Sequence, residues 1–155
     1  KKKNLIKVTA FNEYGKKVGT DISDGVFTME VVRLSLPNGG QVWTSGSQAL
    51  IIWSTNTTLK DVASVKLSYT INGGTTWKKI GIPLVGNPGS QLWTVPNVPS
   101  DKTNCKVKVV LLASDGTSVG SDISDAKFTI AAPTILIPGI AVGNEMGDTS
   151  TISQP

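Results

Sequence analysis

A gap-free internal repeat is the feature of this sequence that most constrains its fold. Residues 7–29 align with residues 108–130 at a shift of 101 residues, and eleven of the twenty-three positions are identical. The match is densest where Val-Gly-x-Asp-Ile-Ser-Asp occurs in both segments. Because the shift is about the length of one small domain, the chain is expected to hold one structural unit and part of another.

The shift predicts three parts. Residues 1–30 are expected to be the last two strands of a preceding repeat, residues 31–130 one complete unit, and residues 131–155 a linker or the start of a following repeat. The sequence Ile-Leu-Ile-Pro at 135–138 matches Leu-Ser-Leu-Pro at 34–37. After this match the chain is rich in Gly, Ser, Thr and Asn, a composition typical of linkers.

Short apolar runs between turn-forming residues predict β-strands and no helix. Val65, Leu67 and Tyr69 alternate with polar residues, which places one face of a strand in a core and the other in water. Asn72 and Gly73 are expected to take positive φ in a tight hairpin turn. The predicted strands cover residues 31–36, 48–54, 65–71, 77–82, 91–95, 105–113 and 126–130. About seven short strands predict an all-β, Ig-like, two-sheet antiparallel β-sandwich, accompanied by the two-strand remnant of the preceding repeat.

The composition excludes several classes of function. The chain has no histidine, so it cannot build a Ser-His-Asp or Cys-His nucleophile and lacks the commonest zinc ligand. Residues 31–130 contain five aspartates and no glutamate, whereas a carboxylate-pair glycosidase needs two acids facing each other across a cleft. The chain is therefore predicted to be no enzyme and to need no catalytic cofactor.

The distribution of charged and apolar residues along the chain argues against two kinds of partner, nucleic acids and the membrane interior. Six of the fifteen basic residues lie in the first seventeen positions, and no Lys/Arg stripe is interleaved with aromatic residues, so nucleic-acid binding is not expected. No apolar run approaches the roughly 18 residues of a membrane span.

Cys105 is the single cysteine, which rules out an intrachain disulfide, and its place in an alternating strand predicts a buried thiol.

The four tryptophans, Trp43, Trp53, Trp77 and Trp93, all lie in the predicted complete unit. Each can bury on the order of 200 Å², so together they could organise a core that has no disulfide. Trp53 and Trp93 lie within dense strands and are expected to be core residues. Trp43 and Trp77 lie beside turns, where they would either pack or stack on sugar rings, and they are the candidate carbohydrate-binding residues.

The repeated Asp-x-x-Asp pattern allows two interpretations. Asp21 with Asp24, and Asp122 with Asp125, could ligate Ca²⁺ at a junction between modules, because calcium takes oxygen ligands. Alternatively these carboxylates accept backbone N–H bonds in the turn that enters a strand, which is the interpretation we favour. Separately, Asn56 begins an Asn-Thr-Thr sequon and is a candidate glycosylation site.

Taken together, the spacing of these motifs resembles the Ig-like (fibronectin type III-like) tandem repeats of bacterial secreted and cell-surface proteins. It is also similar to the sandwich of fungal Ser/Thr-rich, GPI-anchored wall proteins. The matching segments are residues 36–40, Trp43 and Gly46, and residues 52–53, 65–69, 73–77, 92–96 and 122–130. Residues 70–77 also resemble the Asp-box hairpin of sialidase-type propellers, with Asn72 in place of aspartate, and a structural hairpin is preferred there. The resemblance implies an extracellular or cell-surface location.

These observations predict a non-catalytic structural or spacer repeat of a secreted or cell-surface protein, or a subunit of a surface assembly or filament. Its partners would be neighbouring repeats or copies of itself, since unpaired strands in residues 1–29 are templates for another chain. The alternative is a carbohydrate- or cell-wall-polymer-binding module that uses Trp43 or Trp77.

Overall fold

A computed structural model describes residues 3–28 and 30–134. Residues 135–155, which include the predicted start of a following repeat at 135–138, lie outside the described residues. The described chain contains strands and no helix. The strands are β1 (Lys3–Asn4), β2 (Lys7–Phe11), β3 (Lys17–Ile22), β4 (Phe27–Thr28), β5 (Val32–Leu36), β6 (Val42–Thr44), β7 (Gln48–Thr55), β8 (Ser64–Thr70), β9 (Lys78–Val85), β10 (Ser90–Thr94), β11 (Lys102–Leu112), β12 (Ser118–Ile123) and β13 (Phe128–Ala131).

Strands β5 to β13 form two sheets. One has the order β10-β7-β5, and the other has the order β6-β13-β11-β8-β9, with β12 beside β11. Strand β11 is long enough to pair with β13 near its start and with β12 near its end, while its other edge pairs with β8. The named strand pairs are antiparallel except β13 with β6, which is parallel. The all-β, two-sheet sandwich predicted from the sequence is therefore confirmed.

The core lies between the two sheets. Along β11, Cys105, Val107, Val109 and Leu111 are fully buried and alternate with more accessible residues, as the period of two requires. They meet a second set of buried side chains from the opposite sheet, namely Val32, Leu34, Ala49, Ile51, Trp53, Trp93 and Val95. The dense apolar strands of the sequence thus supply the two facing layers of the core.

The strand count differs from the predicted number. The seven predicted strands are all present, but β6 and β12 bring the unit to nine. Strand β6 has only three residues, and β12 has the sequence Ser-Val-Gly-Ser-Asp-Ile, which is too poor in apolar residues to be recognised as a strand. Residues 3–28 contain the predicted pair β2–β3 and, in addition, the two-residue strands β1 and β4, which pair with each other.

Residues 3–28 reproduce the pairing of β11, β12 and β13 at the 101-residue shift. Lys7 pairs with Ile22 as Lys108 pairs with Ile123, and the register breaks one residue before the end of the ladder in both copies. Asn4 pairs with Phe27 as Cys105 pairs with Phe128. The hydrogen bond from Ser23 N to Ile6 O, 2.9 Å, has its counterpart from Ser124 N to Val107 O, 3.0 Å. The two segments therefore share one local structure, while the domain boundaries stay a prediction.

Strand β9 is an irregular edge of the larger sheet. Its register with β8 shifts between Val65 and Leu67. Within β9, Gly81 has φ +60° and Pro83 has no N–H to donate. Ile82 and Val85, on either side of this proline, are 83% and 93% exposed.

Candidate functional site

Trp43 is part of the packed interior rather than a separate platform. Strand β6 places its half-buried ring 5.0 Å from the ring of Phe128 and 5.9 Å from that of Trp93, measured between centroids. Aromatic pairs at these distances and tilts are favourable contacts. Trp53 and Trp93 are buried in the core, 3% and 7% exposed, in the positions expected for them. The Trp43 indole thus contacts the rings of Phe128 and Trp93. Its role in sugar binding stays a prediction.

Trp77 lies at the end of a tightly hydrogen-bonded hairpin. Asn72 Oδ1 accepts hydrogen bonds from Thr70 Oγ1 (2.7 Å) and from Thr76 N (3.0 Å), and Asn72 Nδ2 donates to Thr76 Oγ1 at 2.9 Å. The expectation of positive φ is confirmed at Gly73 and wrong at Asn72, because Gly74 holds the second positive angle. Asn72 contributes to the turn through its side chain, which forms these hydrogen bonds.

The indole of Trp77 faces the solvent side of the larger sheet. It is half-buried, and the Lys108 ammonium lies 4.8 Å from its ring centroid, a cation–π distance. Lys108 also lines an adjoining groove of about 220 Å³ together with Lys66 and Lys79. The strand register explains this grouping, because Lys108 and Lys79 both lie opposite Ser68 on neighbouring strands. The sequence did not indicate this cationic groove, because its lysines come from three separate strands.

A second groove, of about 500 Å³, lies between β9 and β10. Tyr69, Ile82 and Trp93 contribute to its walls. The rings of Tyr69 and Trp93 are 5.1 Å apart, and burial raises the pKa of the Tyr69 phenol. The phenol therefore stays protonated, and the groove gains no charge from it near neutral pH.

Of the four aspartates proposed as calcium ligands, Asp21 and Asp24 are exposed, whereas Asp122 and Asp125 contact other parts of the chain. Asp122 Oδ2 accepts a hydrogen bond from Leu34 N at 2.8 Å, which ties β12 to β5 across the sandwich. Asp125 Oδ2 accepts one from Asn38 Nδ2 at 3.1 Å, and Asn38 Oδ1 accepts one from Asp125 N at 2.7 Å. Within residues 3–28 and 30–134, no three His, Cys, Asp or Glu side chains cluster closely enough to hold a metal ion. Calcium binding stays a prediction.

Asn56 holds the segment through which the chain enters the sandwich. Its backbone N donates to Val31 O at 2.9 Å, and its Nδ2 donates to Glu30 O at 2.5 Å. The loop that follows is fastened by Lys60 Nζ, which lies 2.8 Å from Asp115 Oδ2. The Lys60 ammonium holds the pKa of the Asp115 carboxyl at about 2, below its usual 3.8. Asn56 is exposed, and its glycosylation stays a prediction.

Cys105 is a free, fully buried thiol, in agreement with the sequence prediction. Burial raises its pKa, and its Sγ–H donates to Lys102 O at 3.1 Å. A thiol with a raised pKa carries little thiolate, the reactive form. Cys105 therefore serves as a core residue.

The fold and the contacts above define an all-β sandwich of the Ig-like class. No protein-family model matches the chain, and no curated protein matches it. Among solved structures it is similar to the fibronectin(III)-like modules of CbhA from Clostridium thermocellum. That likeness has a TM-score of 0.49 and 14% sequence identity, and it covers 66% of this chain and 99% of the other. It concerns the fold alone. In the part of the chain that the structure describes, no helix is long and apolar enough to cross a membrane.

Proposed function

We propose that this chain is a non-catalytic spacer module, one unit of a tandem array in a secreted or cell-surface protein. The observation that carries the proposal is that the chain enters and leaves the sandwich at opposite ends of β11. Val31, at the entry, packs beside Gly120, whose partner in the ladder is Leu111 near the end of β11. Ile130, at the exit, pairs with Lys102 at the start of β11.

Opposite entry and exit points make consecutive modules extend the chain. Strand β11 has eleven residues, which at about 3.3 Å per residue span about 36 Å. The shared local structure of residues 3–28 and 104–129 supports repetition at a period of 101 residues. Each further module would therefore lengthen the array by roughly 36 Å and move the domain that follows by the same distance, as the modules of a stalk do.

Small-angle scattering tests the spacer role directly. Residues 31–131 span one period of 101 residues, so the segment can be repeated once or twice after residue 131 without changing the spacing. We expect the maximum dimension to grow by about 36 Å per added unit. An increase of less than about half that value would mean that the modules fold back on each other, and would contradict a spacer role.

Location is tested on the cells that make the protein. Antibodies raised against residues 31–130 should label intact cells by immunogold microscopy. Labelling that requires permeabilised cells would refute the secreted or surface location and leave the spacer geometry as a separate question.

Binding of a carbohydrate or wall polymer is the second candidate function. The observation that favours it is the position of Trp77, outside the core and linked through Lys108 to the cationic groove with Lys66 and Lys79. An indole beside lysines suits a polymer with apolar ring faces and anionic groups. A glycan array probed with the chain and with Trp77→Ala tests this role.

A further inference from the structure

We propose that the apolar face of residues 3–28 is an interaction surface, and that its partner is the set of strands equivalent to β5, β6 and β8 in a unit that precedes this sandwich. We call Ile6, Val8 and Phe27 the docking face. The inference rests on the proposed tandem array. It adds the identity of the side chains that would join residues 3–28 to the other strands of the preceding unit.

The exposure of the docking face contrasts with the burial of its equivalents. Its side chains are exposed, whereas the residues 101 positions later are buried: Ile6 57%, Val8 62% and Phe27 36% exposed, against Val107 0%, Val109 0% and Phe128 1%. Ile22 and Ile123, which pair with Lys7 and Lys108 and so lie on the face opposite Val8 and Val109, differ much less, at 48% and 39% exposed. The docking face therefore corresponds to the face that packs against the β10-β7-β5 sheet in the complete sandwich.

A glycine in β3 gives an independent indication. A Cβ at Gly120 would lie 2.8 Å from Val31 Cγ1, so β12 needs glycine to approach β5. Its equivalent Gly19 has nothing within 4 Å of its Cβ position. Glycine inside a strand costs conformational entropy and commonly marks a close approach of another chain segment. At Gly19 that segment would be the strand equivalent to β5.

The two aspartates of the remnant supply polar recognition. Asp122 accepts from the backbone N–H of Leu34, and Asp125 exchanges hydrogen bonds with Asn38. Asp21 and Asp24 occupy the same places in residues 3–28, and both are exposed. The partner is therefore a strand with an inward N–H at the Leu34 position, followed by an asparagine-containing turn.

A second copy of this chain is a poorer partner than a preceding unit. In each copy the strands β5, β6 and β8 are already covered by residues 104–129 of the same chain. The resident segment also fills the core better, with Leu111 where the remnant has Ala10 and Cys105 where it has Asn4. Exchange between copies would replace a better-packed, covalently attached segment with a less well-packed one. The partner of residues 3–28 must therefore be a unit whose equivalents of β5, β6 and β8 are not already covered.

The test adds the missing strands to the full chain. Lys1 occupies the position of Lys102 in the repeat, so residues 30–101 can be placed directly before Lys1 without changing the spacing. We expect amide hydrogen exchange of residues 5–10 to slow by about 100-fold or more relative to the original chain, because these amides would open only with the new unit. The variant Val8→Asp should abolish the gain. The matched variant Ile22→Asp, on the outward face, should keep it.

Two results would overturn the inference. One is fast exchange of residues 5–10 in the extended chain, whether or not the added residues are themselves protected. The other is a dimer of the original chain, seen by sedimentation, in which residues 5–10 become protected, since that would make a second copy the partner. Neither result affects the scattering test of the spacer, which uses repeats of residues 31–131 alone.

Discussion

Substitution of Val109 and of Val8, which occupy equivalent positions of the repeat, compares a buried core position with an exposed one. Both occupy the same position of the repeat, but Val109 is 0% exposed and Val8 is 62% exposed. Val109→Ala removes the equivalent of two buried methylene groups, about 1.6 kcal/mol of transfer free energy, and leaves a cavity in addition. We expect the free energy of unfolding to fall by about 2–3 kcal/mol, whereas Val8→Ala should change it by less than about 0.5 kcal/mol.

Denaturant unfolding followed by tryptophan fluorescence is the appropriate assay, because all four tryptophans lie in the complete sandwich. At about 4–8 °C per kcal/mol, the melting temperature of Val109→Ala should fall by roughly 8–24 °C. Equal losses in the two variants would refute the reasoning, because they would mean that Val8 is already buried in the isolated chain. A loss under about 0.5 kcal/mol for Val109→Ala would show that the two sheets do not pack as described.

Three further predictions concern charge, metal and aromatic residues. The pKa of Asp115 is lowered from 3.8 to about 2 by Lys60 first and then by hydrogen bonds from Thr117, so these contacts contribute stability above about pH 4 that is lost as the pH falls through about 2. In Lys60→Met the pKa of the carboxyl should move part of the way back toward 3.8 by NMR, and an unchanged midpoint would exclude the ion pair. Millimolar Ca²⁺ should leave the melting temperature unchanged because Asp122 already accepts a backbone hydrogen bond, and a clear rise would restore the calcium site. Trp43→Ala should destabilise the fold by about 2–3 kcal/mol, less than a fully buried tryptophan would because the ring is half-buried, and Trp77→Ala by less still. Glycan binding lost only in Trp77→Ala would favour the carbohydrate function.

The alternating strands were predictable because their faces see different environments. In β11, Val107 and Val109 are buried while Lys108 between them is accessible. The alternation of apolar and polar residues in the sequence predicts this difference. Strand β12 was not predictable in this way. It is covered by β5 on one face only, and its Gly120 is required by the close approach of Val31 rather than by any local pattern.

The contacts of the candidate site depend on distant parts of the chain. Asp122 and Leu34 are 88 positions apart, so no local rule could assign the carboxylate to that N–H, although the recurrence of Asp-Ile-Ser-Asp did single out the residue. The cationic groove was missed for the same reason, because pairing of β11, β8 and β9 brings Lys108, Lys66 and Lys79 together. The hairpin turn was predictable, and Gly73 has the expected positive φ, but Asn72 does not; its side chain instead accepts hydrogen bonds from Thr70 and Thr76.

The irregular edge strand β9 has a consequence for any chain built from many such modules. In such a chain, neighbouring units would hold similar strands at high local concentration, which favours mispairing between units during folding and aggregation between chains. Pro83, the positive φ of Gly81 and the shifted register interrupt the regular row of donors and acceptors that another strand would need. Strand β9 can therefore keep Ile82 and Val85 in solvent while offering a poor template for cross-pairing, a protection against misassembly that would be repeated with every unit.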